Sequence, residues 1–133
     1  MWLITPVGFF SVVRKPSDVR AKTLTVCARV RSDLEALRAH HLAELGDIHE
    51  SATNDYRYRA TAPQAAVAYP MMSLVETLDY DNFKNTVKDR AGSRRAHLYH
   101  DVWDVLYRLQ LEPGAYERSV PNALNRKPNQ TSL

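Results

Sequence analysis

The sequence has one cysteine, Cys27, so no disulfide can form within the chain, and a lone thiol fits a reducing compartment. No apolar run reaches the roughly 18 residues that a membrane-spanning helix needs. Met1 to Val13 is apolar, yet it has neither a basic segment before it nor a small-residue cleavage site after it, so it does not read as a secretory signal. These absences point to a cytoplasmic, soluble protein without a membrane partner. Glycine is scarce, with four in 133 residues, and no glycine-rich phosphate loop is present. The commonest nucleotide cradle is therefore missing, and no cofactor is implied. Internal repeats are absent as well.

What remains is an ordinary globular composition. Hydrophobic residues make up 44% and charged residues 25%, which excludes disorder for most of the chain. At 133 residues one domain with one core is expected. The 18 Lys and Arg against 15 Asp and Glu leave a net charge of +3, which permits an acidic partner without demanding one.

The most legible stretch is Thr23 to Leu42. Leu24, Val26, Ala28 and Val30 alternate with Thr25, Cys27, Arg29 and Arg31, the period of a half-buried strand. Ser32-Asp33-Leu34-Glu35 then reads as a capping box, followed by Leu34, Leu37, Leu42 and Leu45 at helical spacing, with Gly46 as the stop. Before this unit, Trp2 to Thr5 and Phe9 to Val13 are two β-favouring runs around Pro6-Val7-Gly8, either one bulged strand or two strands about a tight turn. Arg14 to Lys22 reads as a hairpin-type connection, which makes antiparallel pairing of Phe9–Val13 with the Thr23–Val30 strand the simplest topology.

After the first helix, Asp47 to Asp55 is loop-like, and Tyr56 to Thr61 alternates again, with rings on one face and arginines on the other. Ala65 to Leu78 is helical in pattern, and Pro70 predicts a kink or a helix that begins near it. Asp81 is placed to cap a short helix through Phe83 and Val87 that ends at Gly92. A last helix from about Arg94 to Gln110 carries Leu98, Tyr99, Val102, Trp103, Val105, Leu106 and Leu109, a face wide enough to be a main wall of the core. The expected fold is α+β: an antiparallel sheet of three to four strands with helices packed on one face, ferredoxin-like in class. It occupies residues 1–110 as a single domain, and the Pro- and Asn-rich residues 111–133 form a tail or arm.

The segments GFFSVVRKP, LTVCARVRSDLEALR, DYDNFKNTV and YHDVWDVL together resemble a group of short bacterial hypothetical proteins of about this length. The resemblance runs from Met1 to about Gln110. It implies a compact domain and carries no activity and no functional residue.

Three features bear on function. Arg29, Arg31, Arg57 and Arg59 are expected on one sheet face, where guanidinium forks could hold a nucleic acid or another anionic partner, although no aromatic RNP-type pattern accompanies them. A solvated charged face, or a face covered by a second subunit, is the plainer reading of the same residues. On the last helix, His97 with Asp101 and His100 with Asp104 are i, i+4 pairs. Such pairs could serve a metal-dependent hydrolase but lack HExxH order, and they read more simply as a braced solvent face. His40, His41, Glu44 and His49 are a weaker cluster of the same kind. Cys27 has Arg29 nearby but no histidine to act as its base, so it reads as a packing residue. The favoured function is a non-enzymatic binding module. The alternative is a homo-oligomeric or protein-binding module that uses the sheet face or the C-terminal arm.

Overall fold

The computed structural model of the protein describes residues 1–112, 114 and 115. The expected tail therefore lies almost wholly outside the described residues. The chain divides into two compact units, Met1–Tyr99 and His100–Leu133, so the division falls within the last helix. Among the described residues no helix is long and apolar enough to cross a membrane.

The first unit is α+β. Strands β1 (Trp2–Ile4), β2 (Phe9–Val13), β3 (Thr23–Ala28), β4 (His49–Glu50) and β5 (Tyr58–Pro63) form one antiparallel sheet in the order β1-β2-β3-β5-β4. It is ferredoxin-like only in the broad sense of helices against an antiparallel sheet. The strands number five rather than three or four for two reasons. The N-terminal runs form two strands about a turn, and His49–Glu50 adds a short edge. The Thr5 hydroxyl builds that turn by accepting from the Val7 and Gly8 amides, both at 3.2 Å, while the Thr5 amide donates to the Gly8 carbonyl at 3.0 Å. The expected pairing of the Phe9 strand with the Thr23 strand is present, with Ser11 opposite Cys27.

Helix α1 (Pro16–Ala21) occupies what reads in the sequence as a hairpin-type connection. Pro16 presets the first turn, and the Asp18 carboxylate accepts from the Lys15 amide at 2.7 Å, so the start is stabilised locally. Lys22, with φ 55°, closes the helix in the left-handed region.

Helix α2 (Arg31–His40) begins directly after Val30, whose side chain cannot cap it. The expected capping box at Ser32 is not formed: the helix starts a turn position too early, and Asp33 bonds elsewhere. The helix also ends before Gly46. The chain turns off at His41, with the Leu42 amide on the Leu37 carbonyl at 2.8 Å, and it buries Leu42 and Leu45 from outside the helix. Helix α3 (Gln64–Glu76) runs through Pro70, which is buried inside it. Helix α4 (Phe83–Ala91) is capped by Asn82, not Asp81: the Asn82 side chain accepts from the Asn85 amide at 3.1 Å. Helix α5 (Ser93–Leu111) follows.

The core lies on the face of the sheet that carries Leu24, Val26 and Ala28. There Phe10, Val12, Ala60 and Ala62 meet Leu34 and Leu37 of α2 and Val67 of α3. A smaller cluster of Val87, Ala96 and Tyr99 packs with Ile4, Phe9 and Phe83 on the opposite face, so the helices lie against both faces of the sheet and not against one as expected. Within the first unit α5 buries Ala96 and Tyr99, and from His100 the helix belongs to the second unit. Leu98 in the first unit, and Trp103, Val105, Leu106 and Leu109 in the second, are 55–58% exposed. Their spacing is amphipathic, but spacing alone does not supply a partner surface.

Candidate functional site

Residues directly opposite across antiparallel strands project on the same face. The registers Trp2↔Ser11, Ser11↔Cys27, Cys27↔Arg59 and Arg59↔His49 therefore draw one row across all five strands, on the side away from the main core. Ile4 and Phe9, and Val13, Thr25 and Thr61, flank that row on the same face. Its middle is small and polar: Ser11, Thr25 and Cys27 are all buried.

Around this middle stand rings and guanidiniums. The Trp2 ring, 71% exposed, meets Phe9 edge-on at 5.8 Å between centroids, and Phe9 lies 6.2 Å from Tyr56. The Arg29 guanidinium sits 4.2 Å above the Tyr56 ring and donates to the Asp55 carbonyl. Arg59 reaches the Tyr56 carbonyl with one terminal nitrogen at 3.4 Å, a long bond. The Arg59 Nε and the Tyr56 hydroxyl are both buried without a hydrogen-bond partner. Leaving such atoms unpaired costs about 1–3 kcal/mol each, so their pairing with a bound group would be favourable.

The four arginines expected on one face do not converge. β3 ends at Ala28, so the alternation never reaches Arg31, which lies in the first turn of α2 and pairs with Glu35 at 2.9 Å. β5 begins at Tyr58, so Tyr56 and Arg57 precede the strand. Tyr58 packs against the main core while Tyr56 lies with Phe9. Arg57 is exposed and held by Glu50 at 2.7 Å, a bond that keeps its guanidinium protonated above its ordinary range. Arg29 and Arg59 are left as the basic pair of this face.

Two buried carboxylates anchor it. Asp18 accepts from the Lys15 amide at 2.7 Å and from the Thr23 and Thr25 hydroxyls at 2.6 and 2.8 Å. Burial alone would raise its pKa, but these hydrogen bonds and the Lys15 charge outweigh it and hold the carboxyl below its usual range. Asp33 accepts from the Phe9 amide at 3.0 Å and from Arg95 Nη1 at 2.9 Å. The same nitrogen lies 3.2 Å from the Tyr99 hydroxyl. Burial works against the Arg95 charge, yet Asp33 and Tyr99 more than compensate, so Arg95 stays firmly protonated. Gly8 belongs to this arrangement, because a Cβ there would stand 2.6 Å from the Asp33 Cγ.

The chain matches no family model, no curated protein and no solved structure.

The other candidates fare less well. Burial raises the Cys27 pKa, opposed by the Lys15 and Arg59 charges, so the group is a thiol at neutral pH and a poor nucleophile. His97 Nδ1 sits 2.9 Å from its own helix's Ser93 carbonyl, and His100 is 3.6 Å from Asp104. Among the described residues no group of three His, Cys, Asp or Glu is placed to hold a metal. His40 and His41 are ring neighbours at 6.5 Å, while His49 is on the far edge strand. Sequence reasoning missed a cleft of about 200 Å³ between the β1–β2 turn, His41, the end of α3 and Arg90. His41 there has its pKa lowered by burial and by the charges of His40 and Arg90. No periodicity marks that cleft, because its walls come from element ends.

Proposed function

We propose that the protein is a small non-enzymatic binding module that holds an anionic partner, single-stranded nucleic acid first, on the second face of its sheet. The observation that carries this reading is Arg29 stacked on Tyr56 beside an Arg59 whose buried Nε lacks a partner. Two guanidiniums suit phosphates, and the exposed Trp2 ring is a platform on which a base can stack without sequence preference. Arg31 and Arg57 have no part in it, since each is paired with a glutamate.

Fluorescence anisotropy of labelled single-stranded RNA, single-stranded DNA and duplex, titrated over a salt series, tests the reading. Binding should weaken with salt, and Arg29→Ala/Arg59→Ala should flatten the salt slope by about one unit for each phosphate the variant no longer neutralises. Trp2→Ala should weaken the single strands more than the duplex. Arg57→Ala should leave binding nearly intact. Equal affinities for the wild type and the double variant, each shown folded by circular dichroism, would end the proposal.

A further inference from the structure

A different surface carries a second conclusion, independent of the nucleic-acid reading. From His100 onward α5 keeps Val105, Leu106 and Leu109 on one side between 55 and 57% exposed. Adjacent exposed apolar side chains on one side of a helix are the kind of surface that protein contacts use, whereas apolar residues exposed singly need no explanation. Val102, Val105 and Leu109 follow the three-four spacing of a packing seam, with Leu106 along one flank. Asp101 and Arg108 lie along the other flank, two turns or about 10 Å apart. The stacked rings of His100, Trp103 and Tyr107 turn away from the seam.

We infer that this seam pairs antiparallel with the same seam of a second copy of the chain. The charges select the occupant and the direction. In a parallel pair, Asp101 would lie beside Leu106 of the second copy and Arg108 would meet no acid. In an antiparallel pair about a twofold axis, Asp101 lies beside Arg108 of the second copy and Arg108 beside its Asp101, while Val102 faces Val105. The chain's own residues 116–133 are a poor alternative occupant on composition, since Tyr116, Val120, Leu124 and Leu133 are their only large apolar residues, set among prolines and asparagines.

Sedimentation equilibrium of the full chain over a wide concentration series tests this, with Asp101→Arg, Arg108→Asp and the double reversal. The wild type should be a reversible dimer. Each single reversal sets like charges against each other at both symmetry-related positions and should weaken the dimer about tenfold, while the double reversal should restore it to within about threefold. The swap sites are exposed, so circular dichroism should show all four proteins equally folded. A wild type that is monomeric throughout overturns the inference. So does a dimer indifferent to the single reversals, or a double reversal no better than either single.

Discussion

Of the two faces of the sheet, one packs Leu24, Val26 and Ala28 against the leucines of α2, and the other buries Ser11, Thr25 and Cys27, with the Thr25 hydroxyl bonded to Asp18 and the Arg29 and Arg59 guanidiniums nearby. Hydrocarbon on the first face is stabilised by area and fit, so any apolar residue of the right volume can serve. Polar groups on the second face must each find a named partner, because a buried group left unpaired is costly. The first face therefore tolerates conservative exchange, and the second can be set by single atoms. It is also where two polar atoms have been left unpaired, Arg59 Nε and the Tyr56 hydroxyl.

The comparison can be broken most strongly at Leu34, which is fully buried in the main core. Leu34→Ala should destabilise the protein by about 4 kcal/mol in urea unfolding, and Leu34→Met by about 1 kcal/mol. On the second face the effect should depend on hydrogen bonding, not size. Asp18→Asn is nearly isosteric, yet it loses the charged acceptor for two hydroxyls and an amide and should cost about 2 kcal/mol. The same residue sets a pH dependence. Its folded pKa lies below the unfolded value, so its contribution is complete above the usual carboxylate range near about pH 4 and disappears as pH falls through the folded value. Urea midpoints measured from neutral to acid pH should fall more steeply in the wild type than in Asp18→Asn. A steeper fall in the variant would refute that assignment. The smallest effect is chemical. Cys27 should react with a thiol reagent at neutral pH far more slowly in the native protein than in denaturant, and equal rates would mean that the second face is open to its middle.

Periodicity carried a large part of the fold. The alternation through Leu24, Val26 and Ala28 located β3, and the spacing through Leu34 and Leu37 located α2. Periodicity does not mark where a strand stops. Val30 and Arg31 continue the alternation by identity, yet the backbone has left the sheet, and one of the four expected arginines left with it. Tyr56 and Tyr58 show the same limit at the start of β5. Asp33 shows a different one. In sequence it stands between Ser32 and Glu35, the two residues expected to cap the helix, and nothing near it reveals that its partners are the Phe9 amide and Arg95. Apolar spacing on α5 was legible, but an amphipathic stripe looks the same whether its partner is the chain's own core or another molecule.

The bond between Asp33 and Arg95 spans 62 residues of sequence. At about 5–20 residues per second, a ribosome takes roughly 3–12 seconds to travel that distance. Through this interval the nascent β1–β2 hairpin and α2 exist without the guanidinium that neutralises their shared carboxylate. Until Arg95 emerges, in the first turn of α5, that charge is better left hydrated than enclosed. A chain truncated before Arg95 should consequently be a better substrate for chaperones and proteases than the full chain, despite holding every strand of the sheet.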